Sequence, residues 1–415
     1  MKFAHIADCH LGSWRQEELQ KLNFESFQKT IDKCISENVK FILISGDLFD
    51  SAYPPIEILK QTFSEFRKIN DAQIPVFIIA GSHDFSASGK TFLDVLEKAG
   101  FCKNIEHIES SEEEIRLKPH IHEVYTENGK QEIALFGYSG KKSGMEIQDL
   151  RKIKFNSVYP FTIFMLHTTI KDVIGNIPME YMEKEKLPLA DYYAFGHIHK
   201  RFTKQEGNST YVYPGPVFPN NFQELADLKH GSFQIVEMSN NNIKPRLEEI
   251  KIKEVLYVEL NIENALTATE YIISEIDKIN LNDKIFLLKL KGNLKQGKTG
   301  DIRFNDIEDF VKKKQAYSFL RNISSLKAKE SEISSKIESE NLDNMQEIEE
   351  KIIEDYTASN PPDENIPDEK DFNKFLPQLM NSLSIEKNED EKTLIFENRL
   401  MDDLKKILDL GEILK

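Results

Sequence analysis

Five apolar stretches in the first half of the chain each run into side chains that bind metal ions or move protons. KFAHIA leads into Asp8-Cys9-His10, FILIS into Gly46-Asp47, and PVFIIA into Gly81-Ser82-His83-Asp84; FTIFML leads into His167, and YYAFG into His197-Ile198-His199. Two carboxylates (Asp8, Asp47) and five imidazoles (His10, His83, His167, His197, His199) thus follow five separate strands, with Asp84 just behind. Imidazole and carboxylate donors without a thiolate suit Mn, Fe or Zn rather than a soft-metal site. There are too many ligands for one ion. Two ions about 3.5–4 Å apart need a bridging carboxylate, and such a pair can clamp an in-line displacement at phosphorus. Asp47 is the natural bridge, because it ends a central strand and has two oxygens. A lone D-x-H or a single loop histidine says little; the specificity lies in their order, each after an apolar strand.

The elements that must position these groups are legible in the same region. FILIS, PVFIIA, IALFGY, FTIFML, YYAFG, YVYPG and SFQIVE are short, rich in β-branched and aromatic residues, and closed by Gly, Ser or a charge, which predicts strands. Several are apolar throughout, as in strands covered on both faces. Helical periodicity marks 22–38 (Leu22, Phe27, Ile31) and 56–66 (Ile56, Leu59, Phe63). An α/β domain with two layered sheets and flanking helices follows, its site at the carboxyl ends of the strands. A β-α-β pattern over 255–292 predicts a small α+β domain, and DIRFNDIEDFVKKKQA adds a strand start and a helix. A polar helix is expected over about 318–354, then a Pro-rich acidic linker at 357–370. Phe372, Phe375, Leu376, Leu379, Met380 and Leu383 form one helical stripe, and Phe396, Leu400, Leu404, Ile407 and Leu408 a second. Two such helices have too little core to fold alone. Either they pack back on their own domains, or they dock on a partner, which the linker favours.

The chain has 415 residues, enough for two or three domains, and a net charge of −16. That acidity belongs to the end of the chain: residues 331–415 hold 23 acids and 10 bases, whereas 284–329 hold 12 bases and 4 acids. The overall charge therefore does not exclude a nucleic-acid ligand, although a Lys-rich stretch can equally be a solvated helix face. Three cysteines, none in a CxxC pair, fit a reducing compartment and a cytoplasmic protein. No apolar run is long enough for a membrane span. Strand alternation turns Cys9 away from its flanking ligands, so an inert packed thiol is expected. His5 reads as a core residue, His107 and His230 as surface or loop residues, and His120 and His122 as an H-x-H in an acidic loop.

The series D-x-H, GD, G-x-H-D, H, GHxH resembles the calcineurin-like metallophosphoesterases over about residues 1–240. DCHLG, GDLFD, IAGSHD, LH, GHIH and YPGP resemble more narrowly the Mre-eleven/SbcD family of double-strand-break-repair nucleases. Its compact length suits an archaeal or bacterial member, the archaeal being the expectation. The resemblance implies a nuclease domain over 1–245, a DNA-binding cap over 250–330, a polar helix and linker over 331–370, and an ATPase-binding helical motif over 371–415. It implies two manganese ions. Asp8, His10 and His199 would hold the first and His167 and His197 the second, with Asp47 shared. His83 would be the catalytic imidazole, oriented by Asp84. It also implies 3′–5′ exonuclease action on double-stranded ends and endonuclease action on single strands and hairpins. The implied partners are a Rad-fifty/SbcC-type ABC ATPase, meeting Phe372, Phe375, Leu379, Leu400 and Leu404, and a second copy of the chain through segments 56–66 and 91–99. DNA would meet Lys289, Lys291, Lys295, Lys298 and Arg303, with Lys312 to Lys314 nearby.

Two departures stand out. The family usually has Asn before the catalytic His, where its amide oxygen binds the second ion; Ser82 stands here, and a weaker second site is expected. Many members have His where Asp50 stands, and a carboxylate there would repel phosphate unless paired or facing metal, so no role is assigned to it. The rival readings are a generic phosphodiesterase or phosphatase for small substrates, which needs neither cap nor tail, and a weakly catalytic DNA-tethering scaffold.

Overall fold

The computed structural model describes residues 1–85, 91–110, 114–126, 129–141, 144–155, 159–175, 177, 179–239, 242–327, 396 and 399–401. Its core is two six-stranded mixed sheets, face to face. In the first, Lys2–Ile6, Ile42–Ser45 and Val76–Ile79 run parallel, and Gly231–Ser239 joins Lys2–Ile6 antiparallel. In the second, Gly129–Tyr138, Phe161–His167, Tyr192–Gly196 and Ser209–Pro214 run parallel.

Period-2 alternation decides which side chain enters which layer. Phe3, Leu43, Phe77 and Ile79 face Ile163, Met165, Tyr192 and Ala194 between the sheets. Ile42, Ile44 and Ile78 point the other way, to Phe27, Ile31 and Phe66 of the covering helices. Phe164, Leu166, Tyr193 and Phe195 line the far side of the second sheet. The strands read as unbroken apolar runs because both faces are covered. Burying one such Phe or Ile contributes about 1.5–3 kcal/mol. Helix Glu17–Ser36 starts with two acids and has Lys33 in its last turn, matching the helix dipole, and buries Leu19, Leu22, Phe27, Ile31 and Cys34 on one face. Cys9 lies fully buried in the helix-side core, as the alternation predicts.

Beyond these sheets, Val255–Asn261, Ile285–Asn293 and Ser318–Lys327 form a three-stranded sheet with Ile285–Asn293 central. The chain divides into two compact units. The larger holds Met1–Leu260, Tyr271–Lys289 and Phe304–Ile323; the smaller holds Asn261–Glu270, Leu290–Arg303 and the chain from Ser324.

Three expectations change. Residues 318–327 are a strand, not the start of a polar helix: Phe319, Leu320, Ile323 and Leu326 mimic a helical stripe, but pairing in the sheet overrides it. The strand start at 301 is a 3-10 turn, Thr299–Asp301, leading into helix Phe304–Lys313. His120 and His122 lie in strand His120–Thr126, not a loop, with both rings against Phe77 and that of His122 also against Phe41. They are packing residues. So is His5, whose Nδ1 meets the Tyr192 hydroxyl at 3.0 Å. Phe372, Phe375, Leu379 and Leu404 lie outside the described residues, as do 331–370; Leu400 is helical and half-buried.

Candidate metal centre

The carboxyl ends of five parallel strands converge, and the chain turns sharply to bring their side chains together. Asp8, His10, Asp47 and His197 all have positive φ (52°, 42°, 48° and 91°), a region that non-glycine residues rarely occupy. Such backbone costs about 1–3 kcal/mol per residue and persists where surrounding structure enforces it, typically at functional sites. The enforcement is visible. His10 N donates to Asp47 O and Leu11 N to Leu48 O, while Asp50 N donates back to Leu11 O. The loops after the first two strands are thereby zipped side by side.

Two backbone amides orient the two carboxylates in the same manner. His83 N donates to Asp47 Oδ1 and His197 N to Asp8 Oδ1, each at 2.8 Å. The remaining oxygens face inward. Asp8 Oδ2 is buried without a hydrogen-bond partner. Asp47 Oδ2 lies 3.6 Å from His10 Nε2 and 3.1 Å from His167 Nε2, so it stands between the two histidine sets. His167 Nε2 is off the hydrogen-bond direction and is itself left unpartnered. Its Nδ1–H donates to Ser45 O at 3.0 Å, which turns Nε2 into the site.

Glycines make room for this. A Cβ on Gly81 would stand 2.1 Å from Asp47 Oδ1; one on Gly46, at φ 86°, would stand 2.2 Å from His167 Nδ1. Both positions need glycine because another group already fills the space.

Two groups of donor atoms result, Asp8/His10/His199 and Asp47/His167/His197, each with its atoms within 4.8 Å of one another. The residues expected to hold two ions are thus brought together in two groups, with Asp47 Oδ2 reaching toward both. The donors fit the cations: carboxylate oxygens and imidazole nitrogens, two of them (Asp8 Oδ2 and His167 Nε2) buried without a hydrogen-bond partner, and no thiolate. His10 Nε2 and His199 Nε2 are 3.1 Å apart. Two nitrogens about 2.1 Å from one ion and at right angles to each other stand about 3 Å apart, so this spacing suits shared coordination.

The electrostatics point the same way. Burial would raise Asp47, but the adjacent His167 imidazolium holds it well below the usual carboxylate range. Burial would lower His167, but Asp47 outweighs that and lifts it to about 10. Burial, and then the charge on His167, push His197 down to about 3, so it stays neutral. A proton on His167 thus partly stands in for a cation in this carboxylate-lined site.

His83 is the most exposed of the five imidazoles. Its Nδ1–H donates to the Asp50 carbonyl at 2.9 Å and its ring packs edge-on against His10 at 4.7 Å. Asp84 does not orient it. The Asp84 carboxylate is buried and accepts from Leu48 N, Phe49 N and Gly81 N, tying together the loops that carry Asp47 and His83. Burial and then the charge of Asp47 raise Asp84 to about 6. The orienting residue is Asp50, whose carboxylate also takes His10 Nδ1 at 3.2 Å. A third grouping, His10/Asp50/His83, is therefore a hydrogen-bonded support: both Nδ1 atoms already have acceptors. The Ser82 hydroxyl makes no hydrogen bond to the described residues.

Sequence reasoning missed Glu224, which takes His199 Nδ1 at 3.0 Å. Asn221, the N-cap of helix Phe222–Leu228, fixes it, accepting from Glu224 N and donating to its carboxylate. The N-x-x-E spacing was the available signal.

The basic candidates carry counter-charges. Lys289 meets Glu259 at 3.4 Å and Lys295 meets Glu263 at 2.7 Å; Arg303 pairs with Glu270, Lys312 with Glu308 and Lys314 with Asp277. Their field is weaker than the charge count implied.

Paired buried donor sets at the strand ends of a two-sheet α/β sandwich define a metallophosphoesterase. Residues 1–201 match the calcineurin-like phosphoesterase family. Among solved structures, a dimetal phosphatase from Danio rerio is similar at 11% identity over 60% of this chain and 98% of that one, with a TM-score of 0.36. A DNA double-strand break repair protein Mre11 from Methanocaldococcus jannaschii is 29% identical over 306 residues, 71% of this chain and 78% of its own length. The Mre11 of Archaeoglobus fulgidus is 26% identical over 319 residues, 71% of this chain and 69% of its own. The chain is thus similar to archaeal Mre11 proteins over about 71% of its length, and its first 201 residues match the calcineurin-like phosphoesterases. No described helix is long and apolar enough to cross a membrane.

Proposed function

We propose that the chain is a two-manganese DNA nuclease that hydrolyses phosphodiesters at double-stranded ends and in single strands and hairpins. The observation that carries this reading is Asp47 Oδ2, shared between two buried sets of imidazoles at 3.6 and 3.1 Å. The ions would supply charge neutralisation on the phosphate and activation of water. Asp8, His10 and His199 would hold one and His167 and His197 the other, with Asp47 common to both. His83, whose Nδ1–H is fixed on Asp50 O, presents Nε2 outward, where it can give a proton to the departing oxygen or a hydrogen bond to the phosphate. The domain reading stays as drawn from the sequence: nuclease over 1–245, cap over 250–330, and a helical tail over 371–415 docking on a Rad-fifty-type ATPase. The apolar positions of helix Ile56–Asp71 support pairing with a second copy, since Ile56 is 77% exposed and Tyr53, just before the helix, 71%. A cytoplasmic location accords with the reduced, buried cysteines.

One assay tests the substrate class: manganese-dependent cleavage of double-stranded ends and hairpins, set against para-nitrophenyl phosphate esters, with His83→Ser as control. Cleavage of DNA by the parent chain alone supports the proposal. Turnover of the small esters without DNA cleavage replaces it with a small-substrate phosphoesterase, and binding without cleavage with a tethering scaffold.

A further inference from the structure

We infer that Asp50 and Glu224 are positioning residues for one ion of the pair, making its site the stronger of the two. The inference rests on the two-ion reading and deepens it. His10 gives its Nδ1–H to the Asp50 carboxylate at 3.2 Å, and His199 gives its own to Glu224 at 3.0 Å. With both Nδ1 atoms committed to carboxylates, the two Nε2 atoms are turned toward each other at 3.1 Å, close enough to share one proton or one bound cation. A carboxylate behind a ligating imidazole fixes its tautomer, locks the ring and makes the free nitrogen a stronger donor.

The other pair of imidazoles lacks this arrangement. His167 Nδ1–H donates to a neutral acceptor, the Ser45 carbonyl, and the His197 ring makes no hydrogen bond among the described residues. Ser82 adds a short neutral hydroxyl where the family pattern has an amide. Both differences act in one direction, so the Asp8/His10/His199 site fills first and the Asp47/His167/His197 site second.

The two carboxylates are themselves held. Asp50 N donates to Leu11 O, and Glu224 accepts from Asn220 N at 2.8 Å and from the Asn221 side chain. Asp50 also has a use for its charge here: the group that would repel phosphate if unpaired is instead committed to His10.

Titration calorimetry of the full chain with manganese chloride tests the assignment. The parent chain should show a tight step and a weak step. Asp50→Asn and Glu224→Gln should each weaken the tight step about 10–100-fold and leave the weak step within about threefold. Asp50→Glu, which keeps the charge, should recover most of the loss. A tight step unmoved in both variants overturns the inference while leaving two-ion binding intact; a parent chain with no manganese step overturns the two-ion reading itself. Should Glu224→Gln disturb the helix start it caps, Asp50→Asn carries the test, since that side chain is 42% exposed on a turn.

Discussion

The Nε2 atoms of His10 and His199 stand 3.1 Å apart, although the two residues are 189 positions apart in the chain. Each ring is backed by a carboxylate, and Asp47 Oδ2 lies 3.6 Å from His10 Nε2. The centre is therefore preassembled for a cation, with its orientation set by hydrogen bonds that do not involve the ion.

His83 is expected to act in chemistry rather than in binding. Its Nδ1 is committed to Asp50 O, and it belongs to neither of the two principal ligand groups. His83→Ser should lower the cleavage rate about 10²–10⁴-fold, the usual worth of a general acid or base, while manganese stoichiometry stays at two. Loss of an ion in this variant would move His83 into the ligand set.

Manganese uptake should release a proton. His167 is raised from 6.5 to about 10 by Asp47, so at pH 8 the metal-free ring is charged. The sign is that of a raised imidazole: its ion pair with Asp47 contributes fully to metal-free stability below about 6.5 and fades as pH rises through about 10. The ion competes with that proton, so manganese affinity should climb with pH across the same window. Calorimetry at pH 8 in two buffers of different ionisation enthalpy should give about one proton released per chain. An enthalpy independent of buffer contradicts this.

Gly81→Ala should remove activity through geometry alone. The added methyl would stand 2.1 Å from Asp47 Oδ1 and displace the shared carboxylate. A loss of about 1–3 kcal/mol in stability is expected from overpacking, together with weakened binding of both ions. Urea unfolding and calorimetry check the two effects separately; a variant that binds manganese normally would show that Asp47 need not sit where it does.

The strand-end pattern was legible in the sequence because a parallel sheet forces it. Apolar runs covered on both faces leave polar residues only at their ends, so Asp8, Asp47, His167 and His199 announce themselves. What supports them was not legible. Glu224 reaches His199 through a cap on a short helix, and Asp50 reaches His10 and His83 through a loop zipped to its neighbour. Asp84 follows His83 directly, yet adjacency misled, because its carboxylate turns inward to three backbone amides. Asn242–Ile250 escaped notice as a strand because four of its nine residues are charged and one is proline, although it pairs with Gly231–Ser239 along its whole length.

Asp47→Asn should disable the centre more completely than the loss of any one imidazole, since both donor groups lean on Oδ2. Manganese binding should fall at both steps, and cleavage by at least about 10³-fold, as expected when groups that act as a unit lose their common member. Binding weakened at only one step would reduce Asp47 to a ligand of a single ion.

The most direct measurement is anomalous diffraction at the manganese edge from crystals soaked in manganese chloride. Two peaks per chain are predicted, one against His10 Nε2 and His199 Nε2 and one against His167 and His197, with the Asp47 carboxylate touching both. A single peak, or peaks placed away from Asp47, would contradict the account.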